Sequence, residues 1–306
     1  MSGDKRNEAL DPNGYAQVHP ASSGSAASGS EQTLVLLHGG SVGNWVWEPQ
    51  VRAFARATVL TPHLPSFGAR SDEDWAGLQS AADDVAALIA EEVPSGGVHL
   101  VGMSVGGLIA AHVAARHPEL VQSLLLSGTP ASGVPALARN LNRWQLKLAG
   151  SPWYWRFQAG AYGMVDDEKE LFARHGVTLQ EHNLRAITEE LAAGGLPEDL
   201  NNYTGPALAL AGALEPKLVA SSFPALQAKL PQVATRLVPG VHHQWNIETP
   251  LLFNAVLRQW AFEGRIHSKL TEAPARAGKS SSLGAKFGKR SATDPAPGTE
   301  TQKPED

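Results

Sequence analysis

The chain has 306 residues, 42% hydrophobic and 18% charged, enough apolar surface to offset chain entropy and a length that suits one α/β domain with insertions. A formal net charge of -5 supplies no positive field for a phosphate backbone, so nucleic acid is not an expected partner. The absence of cysteine excludes disulfides, thiolate metal sites and a cysteine nucleophile.

Residues 1–30 end in the run ASSGSAASGS, a composition that stays flexible, with a short strand expected near Tyr15 to Val18. This stretch lacks the apolar core of a secretion signal, and no apolar run reaches the roughly 18 residues needed to cross a bilayer. The expected location is therefore the cytoplasm. The next elements are TLVLLH at 33–38 and ATVLTP at 57–62, both strand-like, then the helical pattern SAADDVAALIAEEV at 80–93. VHLVGM at 98–103, LIAAHVAARHP at 108–118 and VQSLLLSG at 121–128 continue the alternation of strand and helix. Short apolar runs separated by helical spacing predict a mostly parallel sheet flanked by crossover helices.

From Thr129 to about Tyr203 the rhythm breaks. The segment is helical in pattern and carries Trp144, Trp153, Tyr154, Trp155, Phe157 and Tyr162. A structureless loop of that length is foreign to a compact domain, so a helical lid is expected there. PALALAG at 206–212 and ATRLVPG at 234–240 supply two more strands. Past Arg265 the apolar content falls, which predicts a folded part at 31–264 and a disordered tail at 265–306. Lys279, Lys286, Lys289 and Arg290 in that tail read as solvated charges. No internal repeat is visible, so solenoids and propellers are not expected.

The chemistry starts at Gly102-Met103-Ser104-Val105-Gly106, between a strand-like and a helix-like run. A serine on such a turn is held out at the carboxyl end of the sheet, and small flanking residues let the neighbouring chain pack close. Chance alone produces this pattern in a chain of this composition about one time in five; its strand-to-helix setting is what discriminates. Acyl transfer also needs donors for an oxyanion. The glycine-rich turn His38-Gly39-Gly40-Ser41 follows the first confident strand, so the main-chain amides of Gly40 and Val105 are the expected donors. His38 is read as a structural hydrogen-bonding residue. The stretch from His38 to Gly43 does not supply the Gly-x-Gly-x-x-Gly of a dinucleotide site.

A serine hydroxyl needs an adjacent imidazole, itself oriented by a carboxylate. In the order Ser, acid, His, only His242, His243 and His267 follow the insertion and later strands, and His267 falls where order fades. Spacing leaves His242 and His243 open. The first carboxylate beyond PALALAG is Glu215, whereas GTPASG after the strand at 121–128 holds none. Trp45 and Trp47 after the anion loop, together with the aromatic insertion, suggest an apolar pocket, with Trp45, Met103, Trp144 and Trp155 as its candidate lining. No cofactor is expected. No metal is expected either, since the histidines show no paired spacing with carboxylates on one helix face.

Together these residues resemble the α/β-hydrolase superfamily, in its lid-bearing serine esterase and C-C hydrolase branch, over roughly residues 31–262. The resemblance implies the α/β-hydrolase fold, with a lid at about 129–203 inserted after the sixth strand. The family pattern Gly-x-Gly-His lies on Gly240-Val241-His242-His243 and makes His243 the base, with His242 in the usual glycine place. The stretch similar to DLPGHGRS reads HLPSFGARS here, with His63 in place of Asp, and the acid is Glu215 where relatives more often have Asp. Branches with an aspartate nucleophile, the haloalkane dehalogenases and epoxide hydrolases, do not fit Ser104. The expected function is hydrolysis of a carboxylic ester of a small, mainly apolar substrate through an acyl-enzyme. The alternatives are C-C, lactone or amide hydrolysis by the same triad, or a noncatalytic ligand-binding protein on this fold. The expected partner is a small molecule; the sequence does not give the oligomeric state.

Overall fold

The computed structural model describes residues 15–22, 32–133 and 148–273. The tail charges from Lys279 to Arg290, and Trp144, lie outside these residues. Eight strands form one sheet in the order β1-β3-β2-β4-β5-β6-β7-β8. They are β1 (Val18–His19), β2 (Thr33–Leu37), β3 (Thr58–Leu60), β4 (Val98–Met103), β5 (Val121–Ser127), β6 (Ala207–Gly212), β7 (Ala234–Val238) and β8 (Thr271–Glu272). The strands from β3 to β7 pair in parallel, and the two edges are closed by antiparallel pairs, Val18 with Leu60 and Leu237 with Thr271. The chain therefore continues in contact with the sheet beyond residue 264, and Leu270 is buried against it.

Strand alternation divides the core in two. Val35, Leu37, Leu100, Leu124 and Ala209 pack on one face with α2 (Leu78–Glu92) and α3 (Val105–Arg116), while Leu34, Leu36, Val101, Leu125 and Leu208 pack on the other. On this second face lie α1 (Glu48–Ala53) and, near the end of the chain, α9 (Pro250–Glu263). Both faces are covered, as the near-continuous apolar runs of the strands require.

Three helices, α4 (Pro152–Ala161), α5 (Asp166–Gly176) and α6 (Glu181–Ala193), are inserted between β5 and β6. The insertion follows the fifth strand, not the sixth, because among the described residues a single strand, β1, precedes β2. After β2 the chain crosses to β3 on one side and to β4 on the other. The carboxyl ends of β2 and β4 thus flank the point where the strand order reverses, the place in open α/β sheets where ligands bind.

Candidate active site

Ser104 sits between the end of β4 and the start of α3 with φ 53° and ψ -120°. A positive φ at a residue with a Cβ costs about 1–3 kcal/mol and persists only where its surroundings enforce it. Here the Ser104 amide donates to Ser127 O at 2.9 Å, and the Gly107 amide donates to Ser104 O at 3.0 Å. A Cβ on Gly106 would collide with the Leu37 and His38 carbonyl oxygens, so only glycine lets the first turn of α3 press against the end of β2. The nucleophile candidate and the glycine-rich turn are thereby brought side by side.

In that turn His38 is fully buried. Its Nδ1 contacts Gly39 O at 2.8 Å and its Nε2 accepts the Leu64 amide at 3.2 Å. An acceptor at Nε2 fixes the proton on Nδ1. Burial lowers the His38 pKa to about 3, so the ring is a neutral brace of the turn. Gly40 lies against Val105 and Phe67, and Gly40, Val105 and Ser104 all line one cavity.

The loops leaving β6 and β7 carry the acid and the base. Ala213 donates to Val238 O at 2.9 Å and Leu214 donates to Val241 O at 3.0 Å, which ties the two loops together. Glu215 is buried; its Oε1 accepts the Gly212 amide at 2.7 Å, and its Oε2 meets His243 Nδ1 at 2.6 Å. A carboxylate accepts only, so Nδ1 carries the proton and Nε2 is left as the basic nitrogen. At Gly128, which has φ 62°, a Cβ would stand 2.6 Å from His243 Cε1 and 3.3 Å from Glu215 Oε2. The bare backbone there leaves room for the pair.

The neighbouring His242 has a different carboxylate. Its amide and its Nδ1 meet Glu248 at 2.7 and 2.8 Å. Ser104 and His243 meet as walls of the same cavity. A hydrogen bond between the hydroxyl and the imidazole is not among those of the described residues; such bonds are commonly long before substrate binds.

The cavity holds about 270 Å³. The insertion contributes its apolar roof, with Trp155, Phe172, Leu184, Ile187 and Leu191. Of the residues expected in the pocket, Trp155 lines it. Trp45 and Met103 do not: Trp45 stacks on His175 with centroids 6.0 Å apart, and Met103, at the end of a fully buried strand, belongs to the core cluster on the second face. Trp144 lies outside the described residues.

Residues that sequence reasoning missed are the polar ones. Tyr154, Gln158, Tyr162, Thr188 and Gln244 also line the cavity. The Tyr162 ring lies 5.1 Å from the His243 ring at 41°, its carbonyl accepts the Gln244 amide at 3.3 Å, and burial raises its pKa. No sequence motif marks Tyr162, and Gln244 is distinguished only by following His243. Among the described residues no group of three or more His, Asp or Glu could hold a metal ion, and no helix is long and apolar enough to cross a membrane.

Comparison with known proteins agrees with this geometry. The model of the Alpha/beta hydrolase family matches residues 34–256. A pimeloyl-[acyl-carrier protein] methyl ester esterase of Aeromonas hydrophila is 30% identical over 254 residues, covering 76% of this chain and 96% of that protein. An AB hydrolase superfamily protein of Gibberella zeae is 35% identical over 112 residues, but these cover 35% of this chain and only 40% of that protein's length. Among solved structures, a meta-cleavage product hydrolase from Pseudomonas fluorescens superposes with a TM-score of 0.64 at 20% identity, covering 78% of this chain and 93% of that one. At that identity the likeness is one of fold.

Proposed function

Because this chain belongs to the alpha/beta hydrolase family, we propose that it is a serine hydrolase that cleaves a carboxylic ester of a small, mainly apolar substrate. The observation that carries the reading is the 2.6 Å contact between His243 Nδ1 and buried Glu215, on a ring that shares its cavity with Ser104. The carboxylate sets the tautomer in which Nε2 takes the Ser104 proton. As Ser104 Oγ bonds to the ester carbonyl carbon, the π pair moves onto the carbonyl oxygen, where the amides of Gly40 and Val105 stabilise it. Collapse expels the alkoxide, which takes the proton from His243 and leaves as the alcohol. Water then gives a proton to His243 and adds to the acyl carbon, and the second collapse returns that proton to Ser104 as the acid departs.

The substrate size follows from the cavity. A volume of about 270 Å³ is near the lower end of small-molecule sites, which suits short to medium acyl chains. The three inserted helices serve as the lid of this cavity, and their aromatic and aliphatic side chains keep water from the acyl-enzyme.

The test is hydrolysis of p-nitrophenyl butyrate together with labelling by a fluorophosphonate probe. The expected result is turnover and covalent labelling by the wild type, with Ser104→Ala losing the label and slowing turnover on the order of 10⁵-fold or more. Full turnover by Ser104→Ala would refute the reading. A parallel panel of diketone, lactone and amide substrates identifies the bond preferred by the same residues.

A further inference from the structure

Gln244 is an expensive residue to place where it stands. It is 2% exposed, and its Oε1 is buried with no hydrogen-bond partner among the described residues. A buried amide group left unsatisfied costs about 1–3 kcal/mol, and such a group in a native fold calls for an explanation. Packing does not supply one, because an aliphatic side chain of the same length fills the space at no polar cost.

Its position suggests the explanation. Gln244 follows His243 directly, and its amide is held by the Tyr162 carbonyl at 3.3 Å, which pins the backbone from which the side chain projects. The side chain lines the same cavity as Ser104, His243, Gly40 and Val105. Its Nε2 approaches the turn that carries the expected oxyanion donors: a Cβ built on Gly39 would lie 3.7 Å from Gln244 Nε2 and 3.4 Å from Ser104 Cβ. A neutral donor thus stands between the base loop and the nucleophile, on the side where a substrate carbonyl oxygen would rest.

We propose that the Gln244 carboxamide contacts the substrate, its Nε2 donating a hydrogen bond to the oxygen of the scissile carbonyl alongside the main-chain amides of Gly40 and Val105. This rests on the serine hydrolase reading above and extends it. The donor is neutral and fixed before the reaction, so it strengthens most as charge develops on that oxygen. It makes no bond and moves no proton; it acts on kcat rather than on ground-state binding.

The experiment measures kcat and KM for p-nitrophenyl butyrate, and the rate of fluorophosphonate labelling, for wild type, Gln244→Ala, Gln244→Met and Gln244→Glu. Met keeps the length without polar atoms, and Glu keeps the shape while replacing the donor by an acceptor. The expected result is a fall in kcat on the order of 10²-fold for all three, with kcat/KM falling in step and KM unchanged. Labelling should slow in parallel, because the phosphonyl oxygen needs the same donor. Gln244→Met covers the case in which the alanine variant fails to fold. Wild-type kcat in Gln244→Met or Gln244→Glu would overturn the proposal while leaving the triad reading intact, and a rise in KM alone would also overturn it. A wild type that neither hydrolyses nor labels would overturn both readings.

Discussion

Two adjacent imidazoles with two different carboxylates make the base assignment a matter of contacts. His243 is paired with Glu215 and faces the cavity, whereas His242 is paired with Glu248 through both its amide and its ring. The expected outcome is that His243→Ala slows ester turnover by several orders of magnitude while His242→Ala retains most of it, as measured by kcat/KM on p-nitrophenyl butyrate. Glu215→Gln keeps the shape but offers an amide to Nδ1, which removes the force that fixes the tautomer, and a loss of roughly 10³ to 10⁴-fold is expected. Comparable losses in the two histidine variants would assign the base wrongly. At this scale the sequence exposes groups that need a fixed chain order, which is how Ser104, Glu215 and the histidine pair are found. It hides groups whose role comes from proximity alone: Tyr162 lies 81 positions before His243 and reaches it only through the fold.

The helices of the insertion are fastened to the rest of the chain in different ways. Helix α6 is bolted to the segment before α2: Asn183 accepts the Trp75 amide at 2.8 Å and donates to Glu73 O at 2.8 Å. Glu190 accepts Trp75 Nε1 at 2.8 Å and the Leu78 amide at 3.0 Å. Leu78 opens α2, whose preceding residue is Gly77 and has no side chain to cap it, so a carboxylate from a distant helix satisfies an amide that α2 leaves orphaned. Glu190→Ala is expected to lower unfolding free energy by about 1–3 kcal/mol in urea titration. No change in the midpoint would show these bonds to be idle. Such a long-range cap has no local signature, and this is why the sequence predicts α2 two residues late, at 80 in place of Leu78. The strands were far more legible, since a five- to seven-residue apolar run bounded by turns has few other uses. Trp45 and Met103 were misplaced for the opposite reason: an aromatic or thioether side chain near a site looks the same in sequence whether it lines a cavity or fills the core behind it.

At the scale of the whole molecule, buried histidines couple stability to pH. Burial lowers His38 from its ordinary value of 6.5 to about 3 and His99 to about 4. Between those values and 6.5 the unfolded chain binds protons that the folded chain refuses, so stability rises with pH in that window. It is fully present above about pH 6.5 and declines as pH falls toward 4. Urea unfolding at pH 7.5, 6 and 5 should give falling free energies, and His99→Gln, which removes one of the titrating rings, should flatten the trend. A wild-type curve level from pH 7.5 to 5 would contradict this. The contact between the 160s and the 240s carries a separate consequence. The turn after α4 gives its carbonyl to Gln244 and its aromatic ring to His243, while Gly163 lies against His242 and Glu248. The cover of the chamber and the proton acceptor inside it are therefore one mechanical part: any motion that lifts this corner of the roof also strips the support from the imidazole. Admission of a molecule at that corner and readiness to react are mutually exclusive states, and catalysis must wait for the corner to be seated again.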